Sequence, residues 1–240
     1  MKAALARLAS PLYDAAPSLY RPLYSIYKSV SDRRERALFA GWLRPGDTVL
    51  DIGANIGGYA SFFANRVGPN GRVFAFEPEP RNLAQLRKLA SRRSQITVVP
   101  AAVADRSGDL KLFVSADMNV DHRTYDPGEG RVGIDIRAVA IDEFVEQHVQ
   151  VGAIKMDIQG AELSALRGAR HLLDRSSRLL MILEYWPFGL RAAAENPQSV
   201  LDFLGDAGFQ IRVIGDLPLP DPAGSDPDGY VNLVATKASR

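Results

Sequence analysis

Two short apolar segments of this chain each end in an acidic residue, and the first one leads into a glycine-rich turn. Asp51 precedes Gly53 and Gly57, and Glu77 follows the second segment. Glycines let the backbone approach a ligand closely and present free N–H groups to it. An acidic side chain about 20 residues beyond such a turn can accept hydrogen bonds from both hydroxyls of a ribose. The pattern therefore predicts a site for a nucleoside cofactor.

The spacing of the glycines bears on which cofactor this is. Asn55 stands where the Gly-x-Gly-x-x-Gly dinucleotide motif has its middle glycine, and a side chain there crowds a pyrophosphate. A cofactor without phosphates is favoured. Two alternatives stay open from the residues alone: a nicotinamide-dependent oxidoreductase, which shares the strand, turn and acid, and a non-catalytic protein that binds a ligand in the same crevice.

Three further residues are candidates for proton transfer. Asp157 ends the apolar segment 153–157 and is interpreted as a base, an orienting group or, alternatively, a helix cap. Glu184 ends the next segment, and His122 lies in the polar stretch 116–133 and has a side chain suited to proton transfer near neutral pH. Glu162 falls in a first helical turn, where structural and site roles are equally open. Mg²⁺ accepts such oxygen ligands, but the spacing does not support a metal site and none is assigned.

Short apolar strands alternating with amphipathic helices from residue 47 onward predict a doubly wound, mostly parallel sheet. Segments 209–214 and 230–235 lack a helix between them, so they are expected to pair antiparallel. The remaining predicted strands are residues 48–51, 72–76, 96–99, 109–115, 134–140, 153–157 and 179–184, with helices at 57–66, 80–90, around 163–173 and at 200–207.

The chain is divided into an N-terminal helical segment, residues 1–46, and a main domain, residues 47–240. Prolines break the first segment, and Tyr20, Tyr24 and Tyr27 recur at helical spacing. Packing against the main domain is favoured for this face, with a lid over the substrate or an interfacial membrane contact as alternatives.

Composition excludes several classes of protein. The 240 residues include no cysteine, so disulfides and thiolate chemistry are excluded. A formal net charge of +1 does not favour nucleic acid as a partner. We find neither a signal peptide nor the ~20-residue apolar run of a transmembrane segment. A soluble, cytoplasmic protein is expected, with no particular oligomeric state favoured.

Taken together, the motifs resemble those of the FkbM-type S-adenosylmethionine-dependent methyltransferases. The resemblance covers roughly residues 47–204 and rests on segments 51–57, 76–78 with Asn82, 155–162, 166–169 and 184–187. It implies a class I methyltransferase fold: a Rossmann-like three-layer sandwich around a seven-stranded sheet whose last strand is antiparallel. It also implies S-adenosylmethionine as cofactor and, commonly, O-methylation of a sugar, glycan or natural-product hydroxyl.

The same resemblance assigns the parts of the cofactor to residues of this chain. It implies that Glu77 binds the ribose. The methionine portion is assigned to Asp51, Gly53, Asn55 and Gly57, and the rest of the cofactor pocket to Pro78, Asn82, Ala102 and Val103. Oxygen is the preferred acceptor, because residues 157–160 differ from the Asn/Asp-Pro-Pro-aromatic motif of many amino-methylating enzymes.

Overall fold

The computed structural model describes residues 30–115, 121–128, 130–215 and 217–238. Within these residues no helix is long and apolar enough to cross a bilayer. The strands are β1 (Thr48–Ile52), β2 (Arg72–Phe76), β3 (Ile96–Val99), β4 (Ala102–Val103), β5 (Gly108–Val114), β6 (Val132–Val139), β7 (Val151–Met156), β8 (Arg178–Tyr185), β9 (Gln210–Val213) and β10 (Val231–Ala238). The helices are α1 (Arg33–Trp42), α2 (Gly58–Val67), α3 (Pro80–Ala90), α4 (Ile141–Phe144), α5 (Glu162–Arg167), α6 (Arg170–Arg175), α7 (Pro187–Ala192) and α8 (Gln198–Asp206).

The main sheet has seven strands in the order β3-β2-β1-β7-β8-β10-β9. Neighbours from β3 to β8 pair in parallel, whereas β10 runs antiparallel to both β8 and β9. The predicted fold class is confirmed, including the antiparallel last strand. Strand order reverses between β1 and β7, and ligands of open α/β sheets bind at such a switch point, outside the carboxyl ends of the strands.

Helices cover both faces of the sheet, so the central strands are buried along their whole length. Every residue of β1 and of β7 is buried, which explains their continuous apolar sequences. On one face Phe39 of α1 packs edge-on against Phe63 of α2, with ring centroids 4.9 Å apart. Trp42 Nε1 also donates to Gly152 O at 2.8 Å. The described end of the N-terminal segment is therefore part of the helical layer; its three tyrosines lie outside the described residues.

A second, three-stranded sheet lies between β3 and β7 in the chain. Strands β5 and β6 form an antiparallel hairpin, and β4 pairs in parallel with β6. The two strand-forming segments predicted on either side of residues 116–133 are confirmed. An isolated bridge between Phe113 and Arg123 ties the described part of that stretch to β5.

One prediction about the helices is wrong. The apolar positions Leu163, Leu166 and Leu173 suggested one helix, but the structure has two short helices, α5 and α6, separated at Gly168. The backbone of Gly168 packs so closely against the main chain of Ala104 that an added Cβ would overlap its carbonyl oxygen. This tertiary contact, which no local pattern records, requires a glycine at the break.

Candidate active site

A cavity of about 960 Å³ opens at the carboxyl ends of the parallel strands. That volume is near the upper end of the roughly 300–1,000 Å³ of small-molecule pockets, so it has room for more than one small ligand. Of the sequence-predicted site residues, all but Gly57 line it: Asp51, Gly53, Asn55, Glu77, Pro78, Asn82, Ala102, Val103, His122, Asp157 and Glu184. Gly57 instead occupies the N-cap of α2 in a left-handed conformation, with φ of 91°.

The glycine-rich turn brings its backbone against the next strand of the sheet. Gly53 has φ of 77° and its N–H donates to Phe76 O at 3.1 Å. An added Cβ would overlap the carbonyl oxygen of Asp157 and lie 3.1 Å from Ile158 Cγ2. Only glycine fits this conformation and this approach. The turn and residue 157 are thereby held side by side at the rim of the cavity.

Asp51 is completely buried, and neither of its carboxylate oxygens has a hydrogen-bond partner within the described part of the chain. Burial raises the pKa of Asp51 to about 6, with the Lys155 ammonium opposing the rise. The backbone amide of Ala60 also opposes the rise but makes no hydrogen bond of normal geometry to it, so the buried carboxylate is costly and a cationic ligand group would relieve that cost. The side chain fits the ammonium of an amino-acid moiety in the cavity.

Glu77 joins the two turns that end β1 and β2. Its Oε2 accepts from Asn55 N at 2.8 Å and its Oε1 from Glu79 N at 2.9 Å. Burial raises the pKa of Glu77 to about 7, although both amides oppose the rise. Each carboxylate oxygen has two lone pairs, so both can accept further hydrogen bonds from a diol. Asn55 adopts the left-handed conformation that presents its amide, with φ of 51°.

The wall beyond Glu77 is apolar and rigid. Ala102 and Val103 form β4, where they are 6% and 3% exposed. Asn82 is fully buried at the start of α3, and its backbone N–H caps the helix by donating to Glu79 Oε2 at 2.7 Å. Such a wall fits the flat face of a nucleobase.

Two carboxylates on the other side of the cavity share one amide group. Gln159 Nε2 donates to Asp157 Oδ1 at 2.9 Å and to Glu184 Oε2 at 3.1 Å. Gln159 itself has φ of 56°, a left-handed conformation that is rare outside glycine and asparagine. Backbone strain of this kind clusters at functional sites, because the surrounding structure must hold it in place. The pair faces the cavity beside Gly53.

Lys155 is a site residue to which sequence reasoning gave no role. Its Nζ lies 3.4 Å from Asp157 Oδ2 and 5.5 Å from the ring centroid of Tyr59. The residue is 9% exposed and sits in a strand whose other members are apolar. A lysine in such a strand requires a nearby acid. A lysine within an apolar segment was therefore the sequence signal that could have identified this residue. The ammonium holds the Asp157 carboxylate from the side opposite Gln159.

Glu162 stabilises the backbone turn that follows β7. Its two oxygens accept from Ile158 N at 3.0 Å and Gly160 N at 2.9 Å, and burial raises its pKa to about 7. These bonds close the turn between β7 and α5, whose N-cap residue is Ala161. Within the described ranges no group of three or more His, Asp or Glu residues could hold a metal ion.

His122 reaches the cavity from the stretch between β5 and β6. Its Nδ1 accepts from Ser115 N at 3.2 Å, while Nε2 is buried without a hydrogen-bond partner in the part of the chain that the structure describes. Burial lowers the pKa of His122, so the ring is neutral at pH 7. Because Nδ1 accepts a hydrogen bond, the proton of the neutral ring lies on Nε2. His122 therefore offers a hydrogen-bond donor to the cavity.

Comparison with known proteins bears on this geometry. The family model described as the methyltransferase FkbM domain matches residues 51–211, from the first site residue to β9. The chain belongs to the FkbM methyltransferase family. The protein is accordingly a methyltransferase that uses S-adenosylmethionine, and the oxidoreductase alternative is not favoured. The unpartnered Asp51 and the close-packed Gly53 fit this cofactor.

Two curated relatives of this FkbM-family methyltransferase are similar over different lengths. The chain is 24% identical over 200 residues to the 2-O-methyltransferase NoeI of Sinorhizobium fredii (strain NBRC 101917 / NGR234), covering 73% of this chain and 80% of that protein. It is 48% identical over 76 residues to the 31-O-demethyl-FK506 methyltransferase FkbM of Streptomyces tacrolimicus, covering 31% of this chain and 29% of that protein.

Solved structures share the fold of this FkbM-family methyltransferase at low sequence identity. A candidate rRNA methylase from Clostridium thermocellum gives a TM-score of 0.53 at 13% identity, covering 86% of this chain and 96% of that chain. A candidate methyltransferase from Streptococcus mutans, solved in complex with SAH, gives 0.51 at 10% identity, covering 84% and 95%.

Proposed function

We propose that this enzyme transfers a methyl group to a hydroxyl oxygen of a small molecule, sugar or glycan. The observation that carries the proposal is the pair Asp157 and Glu184, which share the Gln159 amide at the cavity wall. A hydroxyl must lose its proton as it attacks carbon, and paired carboxylates can orient and deprotonate it. Both curated relatives are named for methylation at oxygen.

The cofactor is proposed to lie along the switch point of the sheet. Asp51 binds its ammonium, while the backbone of Gly53 and Asn55, in the turn that ends at the Gly57 N-cap of α2, follows the methionine chain. Glu77 accepts from the ribose hydroxyls. The adenine is proposed to lie against Pro78, Ala102 and Val103, with the buried polar side chain of Asn82 beside them.

Asp157 is proposed as the group that accepts the proton. When bound, S-adenosylmethionine supplies an electrophilic methyl group, so the protein mainly aligns the acceptor and removes its proton. Lys155 and Gln159 fix the Asp157 carboxylate from two sides, and its side chain keeps 34% of its surface exposed toward ligands. A positioned base of this kind typically contributes about 10² to 10⁴ in rate.

Glu184 and His122 are proposed to bind the acceptor. Glu184 accepts a hydrogen bond from a second hydroxyl of the acceptor. The catalytic role predicted for His122 is proposed to be that of a donor through Nε2, since Nδ1 is engaged by Ser115. Tyr125, whose hydroxyl is buried, lies in the same segment between β5 and β6.

The charges around the cavity support a neutral acceptor rather than nucleic acid. Among the described residues, seven acidic and four basic side chains line it, and this excess of negative charge disfavours a phosphate backbone. We also propose a cytoplasmic location, which fractionation of expressing cells would test; a chain without cysteine needs no oxidising compartment.

Isotope-labelled methyl donor provides the test. Extracts incubated with the enzyme and donor carrying a ¹³C methyl group should yield a labelled methyl ether, identified by mass spectrometry and by the carbon shift of the methoxy group. Asp157→Asn should lower turnover by about 10² to 10⁴ and leave donor affinity within about threefold. Label appearing on nitrogen or carbon would contradict the proposed acceptor. Full turnover by the variant would contradict the proposed base.

A further inference from the structure

Arg36 lines the cavity although it lies outside the segments that carry the family motifs. It belongs to α1, and its guanidinium packs over two aromatic rings, with Cζ 5.0 Å from the centroid of Tyr59 and 5.1 Å from that of Phe62. Within the described ranges the guanidinium makes one hydrogen bond, a long one from Nη2 to Gly58 O at 3.5 Å. The rings fix the plane of the guanidinium at the cavity wall.

The guanidinium of Arg36 lacks an anionic partner among the described residues. Its Nε is buried without a hydrogen-bond partner, and no described carboxylate lies within 4.0 Å of it. The other basic residues that line the cavity each contact a carboxylate: Lys155 lies beside Asp157, and Arg123 and Arg131 both bind Asp121. A buried N–H without an acceptor is costly, so this position is suited to an anionic ligand.

Asp51, whose charge is opposite to that of Arg36, also lines this cavity. Asp51 is completely buried with two unpartnered oxygens, lines the same cavity and feels the charge of Arg36. An acidic and a basic side chain that line the same cavity, neither of them in a salt bridge among the described residues, complement a zwitterion. An α-amino acid has such a charge pair on one carbon.

We infer that Arg36 binds the carboxylate of the methionine moiety of the cofactor while Asp51 binds its ammonium. A guanidinium suits this task because its planar N–H groups can bind both oxygens of a carboxylate. The inference rests on the proposed placement of the cofactor in this cavity. It gives the helix α1 a direct part in donor recognition.

The test compares two donors that differ only in the carboxylate: S-adenosylmethionine and its decarboxylated form. Isothermal calorimetry on the wild-type protein should show roughly ten- to hundredfold tighter binding of the intact donor. Arg36→Met removes the charge and keeps an apolar stem that can pack on Tyr59 and Phe62. This variant should bind the intact donor roughly ten- to hundredfold more weakly and the decarboxylated donor nearly as the wild type does. Arg36→Lys should give an intermediate preference, because lysine retains the charge without the planar fork.

The matched control is Arg33→Met, an exposed arginine on the same helix, which should bind both donors as the wild type does. A purely structural role for Arg36 would weaken both donors by the same factor, and that outcome would overturn the inference. Equal affinity of the wild type for the two donors would also overturn it. If Glu77→Ala leaves the affinity of both donors unchanged, the proposed placement itself fails. Loss of donor preference in Arg36→Met together with weaker binding in Glu77→Ala would support both.

Discussion

Replacing Gly53 by alanine tests the geometry on which the site depends. Alanine at φ of 77° is expected to cost about 1–2 kcal/mol, because a Cβ is strained in the left-handed region. The same Cβ would overlap the carbonyl oxygen of Asp157 and lie 3.1 Å from the carbonyl carbon, and such overpacking costs about 1–3 kcal/mol. The sum is about 2–5 kcal/mol. At about 2–4 °C per kcal/mol for a chain of this size, the melting temperature should fall by about 4–20 °C.

Gly41→Ala is the control for Gly53→Ala, since its added Cβ would meet nothing within 4 Å. Gly41 lies inside α1, where alanine is favoured over glycine by up to about 1 kcal/mol, so this variant should melt at or above the wild-type temperature. Differential scanning calorimetry measures both. The overlap also displaces Asp157, so turnover at saturating donor should fall in Gly53→Ala alone. Equal melting temperatures for the two variants would refute the reasoning.

Two other properties follow from the electrostatics and the backbone of the site. Because burial raises the pKa of Asp51 to about 6 and of Glu77 to about 7, both side chains are protonated at pH 5 and ionise toward pH 8. Donor affinity measured by calorimetry should therefore rise across this range, with release of protons to the buffer. The variant Asp51→Asn should abolish the part of this rise in affinity that occurs near pH 6. An affinity independent of pH would contradict the assigned contacts. Gln159→Gly should lower kcat while its melting temperature stays at or above that of the wild type, because glycine avoids the strain of φ of 56°. A variant that loses both activity and stability would instead assign the side chain to the fold.

Sequence reasoning worked where the physics is local. A strand buried on both faces is a continuous apolar segment, so β1, β2, β7 and β8 could be located within one or two residues. The turn after β1 needs glycine for its backbone conformation, and Asp51 and Glu77 could be placed because acids at the carboxyl ends of neighbouring parallel strands must face one crevice. Eleven of the twelve predicted site residues line the cavity, although those beyond the strand ends were expected from the family resemblance or from the polar stretch 116–133.

The remaining features depend on contacts between distant parts of the chain. The break between α5 and α6 follows from the approach of Gly168 to Ala104, which no periodicity encodes. Arg36 reaches the cavity because α1 packs on the sheet, and its helix carries none of the motifs. The left-handed conformation of Gln159 is imposed by its surroundings against its own preference. Strand β4 consists of two residues, too short for a pattern of its own, and it forms only because it pairs with the distant β6.

The three-stranded sheet is hydrogen-bonded separately from the seven-stranded sheet, so the two sheets can carry different parts of the function. Strand β6 pairs with β5 on one side and with β4 on the other, and among the described residues none of the three joins the seven-stranded sheet. Insertions or exchanges in the segment between β5 and β6 can therefore reshape the entrance to the cavity at little cost to the scaffold that carries Asp51 and Glu77. For protein engineering, the segment within this hairpin is the place to change the acceptor preference. The residues that bind the methyl donor lie on the other sheet and would stay unchanged.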